Sequence, residues 1–416
     1  MTGDTDMSNR FEDLRRNEFA QRLPIGNVYA DWTGGALAPD FLIAAAADFL
    51  QSNLLGNPHS HHAPSAFAME QVRLARAAVL RYMNADPNEY EVIFTSGATA
   101  AIRILQHFKF DGGELLMTAD NHNSVNGLRE DAKRYGAIHR YAPITPDQQI
   151  DEKALDHMLR HPRSTGEKLF AFPAKSNYTG NIHSLKWVRR AQQLGWTVLL
   201  DSAAYLSNSR LDLSTVKPDF VPMSFYKLFG YPTGLGCLVI KKSAYKALNK
   251  RWFSGGSILL VSVLKDFYAP ETLGYARFED GTVNYGNIPL ITAGLQFLEG
   301  LGDIREHSVA LGDRLHEGLV DMKVGENSVV LHTPKGNDVV TFSIKKGVNE
   351  EVFGYGIETF ERMYNDAVGP EGMTVEALKE FSGGKPIGAI RASFGYANIM
   401  SDIERFVAVV LEFLKT

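Results

Sequence analysis

Three short runs decide how this chain folds: Thr-Val-Leu-Leu-Asp at 197–201, Ser-Phe-Tyr-Lys at 224–227, and Gly-Tyr-Pro-Thr-Gly-Leu-Gly at 230–236. The first is apolar and β-branched, reads as a buried strand, and ends on a carboxylate. A second apolar run at 220–223 ends just before Lys227, which follows Asp201 by 26 residues. The glycines after it permit backbone turns that side chains with a Cβ resist. A carboxylate at one strand end and an amine at another are what a ligand-binding cleft at the edge of a sheet requires.

Outward from this segment the same alternation holds from about residue 29 to 240. Apolar runs at 92–94, 114–118, 168–172, 197–200, 220–223 and 237–240 read as strands, and 66–83, 98–108, 124–135 and 185–194 read as helices between them. Strands alternating with helices predict an α/β fold whose mostly parallel central sheet is sandwiched by helices. In such sheets ligands collect beyond the carboxyl ends of the strands. After about residue 289 the pattern changes: helices at 289–301 and 304–322, strands at 328–332, 339–344 and 388–394, and an amphipathic helix at 400–414. This predicts a smaller α+β C-terminal domain. The expected division is an N-terminal segment at 1–28 packed on the small domain, a large domain at 29–288 and a small one at 289–416.

Composition narrows the classes of function. The net charge is −5 and no basic stripe interrupts it, which argues against nucleic-acid binding. Cys237 is the single cysteine, so an intrachain disulfide is impossible and a reducing cytoplasm is the expected setting. Residues 1–22 are polar and charged and lack the apolar centre of a secretion signal. The apolar stretch at 41–50 is about half a membrane span and holds Asp48, so no membrane segment is expected.

The strand ends suggest a chemistry. Pyridoxal 5′-phosphate (PLP) needs a lysine for its aldehyde, a carboxylate to keep its pyridine nitrogen protonated, and backbone N–H groups with small hydroxyls for its phosphate. Lys227 and Asp201 meet the first two needs. The run Phe-Thr-Ser-Gly-Ala-Thr at 94–99 closes a strand and opens a helix, so Ala98 and Thr99 can offer N–H groups and a hydroxyl. Alone, such a lysine is usually a solvated charge and such a turn an ordinary helix cap. Together they point to a cofactor site.

Their order and spacing resemble the class V aminotransferase family, which includes the cysteine desulfurases and, most similar here, the PLP domain of molybdenum-cofactor sulfurases. The resemblance covers about 29–414 and rests on Asn57-Pro58-His59-Ser60, 90–99, 170–180, 224–236 and 391–395. It implies PLP fold type I. It makes Lys227 the Schiff-base lysine and Cα proton shuttle, and Asp201 the partner of the pyridine nitrogen. His122 would stack on the ring, Asn177 would sit near the ring hydroxyl, and Ala98, Thr99 and Ser224 would hold the phosphate. Thr282 would reach a phosphate across a homodimer interface, so that active sites are shared. Arg391 would clamp the substrate carboxylate through its bidentate fork. His59 belongs to a substrate-side loop, with Trp32 and Tyr178 as further candidates for specificity. The histidines at 59, 61 and 62 are too close together for a tetrahedral metal set, and no metal is expected.

Two positions depart from the desulfurase pattern. Tyr226 stands where many desulfurases carry histidine, as it does in the sulfurase-like group. The region of the persulfide-forming loop, 370–386, has no cysteine at all. Cys237 lies on an apolar strand and reads as an inert core residue. An amino-acid substrate is expected, with β-elimination from a cysteine-type molecule foremost. Transamination and epimerisation on the same fold stay open, as does a non-catalytic binding protein that kept the fold.

Overall fold

The computed structural model describes residues 3–345, 374–381 and 389–416. Its centre is a seven-stranded sheet. The strands are β1 (Tyr90–Thr95), β2 (Glu114–Thr118), β3 (Ile138–Ala142), β4 (Lys168–Pro173), β5 (Thr197–Asp201), β6 (Phe220–Ser224) and β7 (Gly236–Lys241). They lie in the order β1-β7-β6-β5-β4-β2-β3. Only β7 runs against its neighbours, β1 and β6; every other pairing is parallel.

Burial on both faces explains why these strands are continuous apolar runs. Within β4, Phe170 and Phe172 join one apolar cluster with the helices Asp40–Ser52, Ala63–Tyr82, Lys186–Gln193 and Leu290–Leu301. Leu169 and Ala171 join another with the helices Ala98–Arg103, Leu128–Arg134 and Gly274–Phe278. The period of two thus assigns alternate residues to opposite layers.

The expected α/β sandwich is present, with local differences. β3 was not expected because Ile-His-Arg-Tyr-Ala carries polar side chains on an edge strand, where only its last residue is fully buried. The helix expected at 98–108 ends at Arg103 and tightens into a 3₁₀ turn at Ile104–His107. The one expected at 124–135 is split at Gly127. A hairpin of β8 (Ile258–Ser262) and β9 (Phe267–Pro270) was also unexpected.

The smaller C-terminal sheet contains β10 (Lys323–Val324), β11 (Asn327–Leu331), β12 (Val339–Lys345) and β13 (Ile390–Ser393), all antiparallel. The helices Ile304–Leu319 and Met400–Lys415 supply the rest of its core. The strand expected from 388 begins at Ile390, and Gly388 lies outside the described residues. Of the cysteine-free region 370–386, the described part contains the helix Val375–Phe381, and the remainder lies outside the described residues. The N-terminal helix Gly3–Glu18 stacks Phe11 on His307, with ring centroids 3.8 Å apart, and sends Arg15 to a buried ion pair with Asp402. Among the described residues no helix is long and apolar enough to cross a membrane.

Candidate active site

The carboxyl ends of β4, β5 and β6 open onto one small cleft. Asp201 is the last residue of β5 and is 7% exposed. Its Oδ1 accepts the Ala203 N–H at 3.1 Å. Burial raises its carboxyl pKa, and the charges of Lys227 and His122 partly oppose that rise.

Lys227 lies on the five-residue helix Phe225–Phe229, which begins where β6 stops. Gly230 ends this helix in the left-handed conformation, with φ 77°. A Cβ at Gly230 would also clash with the backbone of Leu37 and Ala38, so glycine is required twice over. Half-buried Lys227 has its ammonium pKa pulled down by burial, with Asp201 opposing. An amine biased toward its neutral form is the nucleophile that an aldehyde requires.

Next to this pair, Gly97 at φ 148° turns the chain from β1 into the helix Ala98–Arg103. The Ala98 N–H donates to Ser224 Oγ at 2.7 Å. Gly236 pairs with both Thr95 and Ser224, and a Cβ there would fall 2.5 Å from Gly97 Cα. The glycine on β7 therefore lets the Thr95–Ala98 turn and Ser224 close up into one polar cradle.

His122 is fixed by its own backbone. Its Nδ1 accepts the Ser124 N–H at 3.1 Å, so the ring proton resides on Nε2. Burial lowers its pKa and favours the neutral ring. Ser124 Oγ bonds Thr99 Oγ1 at 2.8 Å and His122 Nδ1 at 2.9 Å, linking ring and cradle. Behind them, the buried pair His183 Nε2 and Asp120 Oδ2 at 2.6 Å pins the loop.

The structure brings seven of the expected residues to one cleft of about 80 Å³: Ala98, Thr99, His122, Asn177, Asp201, Ser224 and Lys227. Arg391 is not on its wall, but its charge bears on both Lys227 and His122. Its guanidinium donates to Asn177 O at 2.7 Å and pairs with Asp31 at 3.0 Å. Thr282 and His59 lie outside this cleft within a single chain. Thr282 Oγ1 accepts from Asn57 Nδ2 at 3.4 Å and lines a second cavity of about 450 Å³ with Thr95 and Ser96. His59 packs on Gly256, where a Cβ would meet its ring, and His62 caps the helix Ala63–Tyr82. Trp32 is buried edge-on to Tyr396, centroids 4.7 Å apart, in the core and not at the cleft. Tyr178 lies in the turn that follows Asn177.

Sequence reasoning missed Lys175, Ser124 and Ala204, which line the same cleft. No local signal marks them, because Lys175 in Ala-Lys-Ser-Asn reads as a solvated loop residue. Cys237 is fully buried in β7, and its thiol pKa is pushed well above the ordinary value by that burial.

One feature tests the fit of PLP. Among the described residues the Asp201 carboxylate has no cation within ion-pair distance, only one N–H donor. A protonated pyridine nitrogen would supply the missing charge, Lys227 would supply the amine, and Ala98, Thr99 and Ser224 would face the phosphate. The model of class-V aminotransferases matches residues 28–406.

The chain belongs to the class-V aminotransferase family. Members of this family use pyridoxal phosphate. Among its relatives are molybdenum cofactor sulfurases. That of Bos taurus is 29% identical over 96% of this chain and 51% of its own length. That of Oryza sativa subsp. japonica is 31% identical over 95% of this chain and 57% of its own. The chain therefore spans about half the length of these curated relatives. Among solved structures, a cysteine desulfurase from Thermococcus onnurineus NA1 superposes with a TM-score of 0.76 at 22% identity, covering 97% of this chain and 98% of that one. A cystine C-S lyase solved with cysteine persulfide gives 0.70 at 19% identity, covering 93% and 98%. These structures share the fold of this chain.

Proposed function

We propose that this member of the class-V aminotransferase family catalyses PLP-dependent β-elimination on a cysteine-type amino acid and releases the sulfur as a small molecule. The observation that carries this reading is Cys237. It is the single cysteine of the chain, fully buried in β7, and its thiol is held protonated. A persulfide relay needs an exposed, ionisable thiol, while the lysine, carboxylate and phosphate cradle of the cleft need none.

Bound at this cleft, the cofactor supplies a sink for the electron pair left when the Cα proton departs. Lys227 Nζ takes that proton. Asp201 holds the proton of the pyridine nitrogen, and burial makes their attraction stronger than it would be in water. Arg391 binds the substrate carboxylate and is already oriented by Asp31 and the Asn177 carbonyl. The Cβ–S bond breaks, sulfur leaves with the bonding pair and takes up a proton, and water releases pyruvate and ammonia from the remainder. The name of the cystine C-S lyase gives the same type of bond cleavage on the same fold. We further infer a homodimer in which Thr282 serves the phosphate of a second copy, since within one chain it stands apart from the cleft.

The full chain with PLP is expected to absorb between about 410 and 430 nm, and to form pyruvate from L-cystine or S-substituted L-cysteines. A keto acid that forms only with an amino acceptor would assign transamination. Cα exchange without pyruvate would assign epimerisation. A protein that never gains the absorption band would be a binding protein on this fold.

A further inference from the structure

A second lysine borders the cleft. Lys175 leaves the sheet beside Asp201, since Pro173 pairs with Asp201 and the Ala174 N–H donates to Asp201 O at 2.8 Å. Its side chain is fully enclosed and its Nζ meets Asp338 Oδ2 at 2.6 Å. Asn208 Oδ1 is a second acceptor at 3.5 Å. Asp338 is itself 3% exposed and immediately precedes β12 of the smaller sheet. The pair therefore ties the rim of the cleft to the C-terminal sheet.

The turn that follows Lys175 is fastened to the same place. Thr341 Oγ1 on β12 donates to the Tyr178 carbonyl. Asn337 Nδ2 donates to Asn181 Oδ1 at 3.1 Å. A Cβ at Gly180, where φ is 76°, would fall 2.8 Å from Val339 Cβ, so the turn lies directly on β12. Arg391 on β13 closes the set through the Asn177 carbonyl at 2.7 Å. One face of this turn thus lines the cleft at Asn177, while the other is bonded to the strands that carry Arg391.

Stability alone is a poor account of Lys175 and Asp338. Desolvation of two charges offsets most of their attraction, and a well-packed apolar pair is often as stable. What an ion pair adds over an apolar pair is a preferred position. We propose that Lys175 is a positioning residue: paired with Asp338, it locks the Asn177 turn to the C-terminal sheet and so fixes where Arg391 stands relative to Lys227. This rests on the assignment of the cleft to PLP and an amino-acid substrate. Arg391 meets the substrate carboxylate in ground state and transition state alike, so its misplacement weakens substrate binding more than the proton transfer at Lys227.

The test compares wild type with Lys175→Met/Asp338→Leu, which removes both charges together. The double variant should keep its melting temperature within about 4 °C and its cofactor band, yet raise KM for L-cystine about tenfold with kcat changed less than about threefold. In the cofactor-free protein, amides of residues 176–181 should exchange faster with solvent while those of β5 do not. Asp338→Asn keeps a hydrogen-bond acceptor and removes only the charge, and a smaller rise in KM is expected from it. Unchanged KM and exchange in a folded double variant would overturn the positioning role. Equal falls in kcat and in folded protein would reduce the pair to a stabilising contact. Loss of the cofactor band in the wild type, by contrast, would remove the site assignment itself.

Discussion

Two of the clusters of buried charge on the main sheet are treated in opposite ways by the chain. Around the β1 end of the sheet, Glu279 accepts the Phe94 N–H at 2.7 Å and pairs with Arg76 at 2.6 Å. Arg76 lies over the Tyr275 ring at 4.0 Å, and Tyr245 donates to Glu91 at 2.6 Å. Arg76 and Glu279 are thus matched by each other inside the protein, and Glu91 has a hydrogen-bond donor. Around the ends of β5 and β6, Asp201 is buried with no cation at ion-pair distance among the described residues, and Lys227 is partly stripped of water. A matched cluster is complete without a ligand. An unmatched one is held at a cost to stability and awaits a ligand that completes it.

Lys227→Ala bears hardest on this contrast. It should abolish the band between about 410 and 430 nm and lower turnover by at least about 10⁴-fold. A variant with ordinary turnover would erase the distinction between the clusters. Asp201→Asn comes next, with turnover lower by about 10²–10³-fold. It should also stabilise the cofactor-free fold at pH 7 by about 1 kcal/mol in urea unfolding. The sign follows from linkage. Burial raises the folded carboxyl pKa above its unfolded value, so ionisation as pH rises destabilises the wild-type fold. The gain from asparagine should therefore vanish below about pH 4. A destabilised Asp201→Asn protein at pH 7 would show that this carboxylate is matched after all.

On the matched side, Glu279→Gln strands Arg76 and should lower stability by about 3 kcal/mol, read by urea unfolding. Activity per folded molecule should stay near that of the wild type. The smallest effect belongs to Cys237→Ala. Pyruvate formation should stay within about twofold of wild type, with stability lower by about 1 kcal/mol for the lost packing. A large loss of turnover there would return sulfur transfer to the protein.

Much of this was legible in advance because it depends on local pattern. The apolar runs at 168–172 and 197–200 announce strands buried on both faces, Gly97 and Gly230 announce turns, and Gly236 marks a close approach of backbones. Asp201, Lys227 and the Thr95–Thr99 turn stood out because strand ends in an α/β sheet converge on one edge. β3 escaped notice because an edge strand buries too little to need an apolar run. The β8–β9 hairpin escaped because its apolar side chains, Leu259, Leu260 and Val263, face outward.

By itself, the sequence determined the layered α/β architecture and the family, and it named the residues proposed to bear the cofactor, since hydrophobic period and motif spacing are properties of neighbours along the chain. Only the tertiary structure decided what each charge meets. It separated unmatched Asp201 from matched Glu279, moved Trp32 into the core, and joined Lys175 to Asp338 across 163 residues. Whether a buried charge supports the fold or waits for a ligand depends on partners brought near by folding, and no local stretch of sequence contains that information.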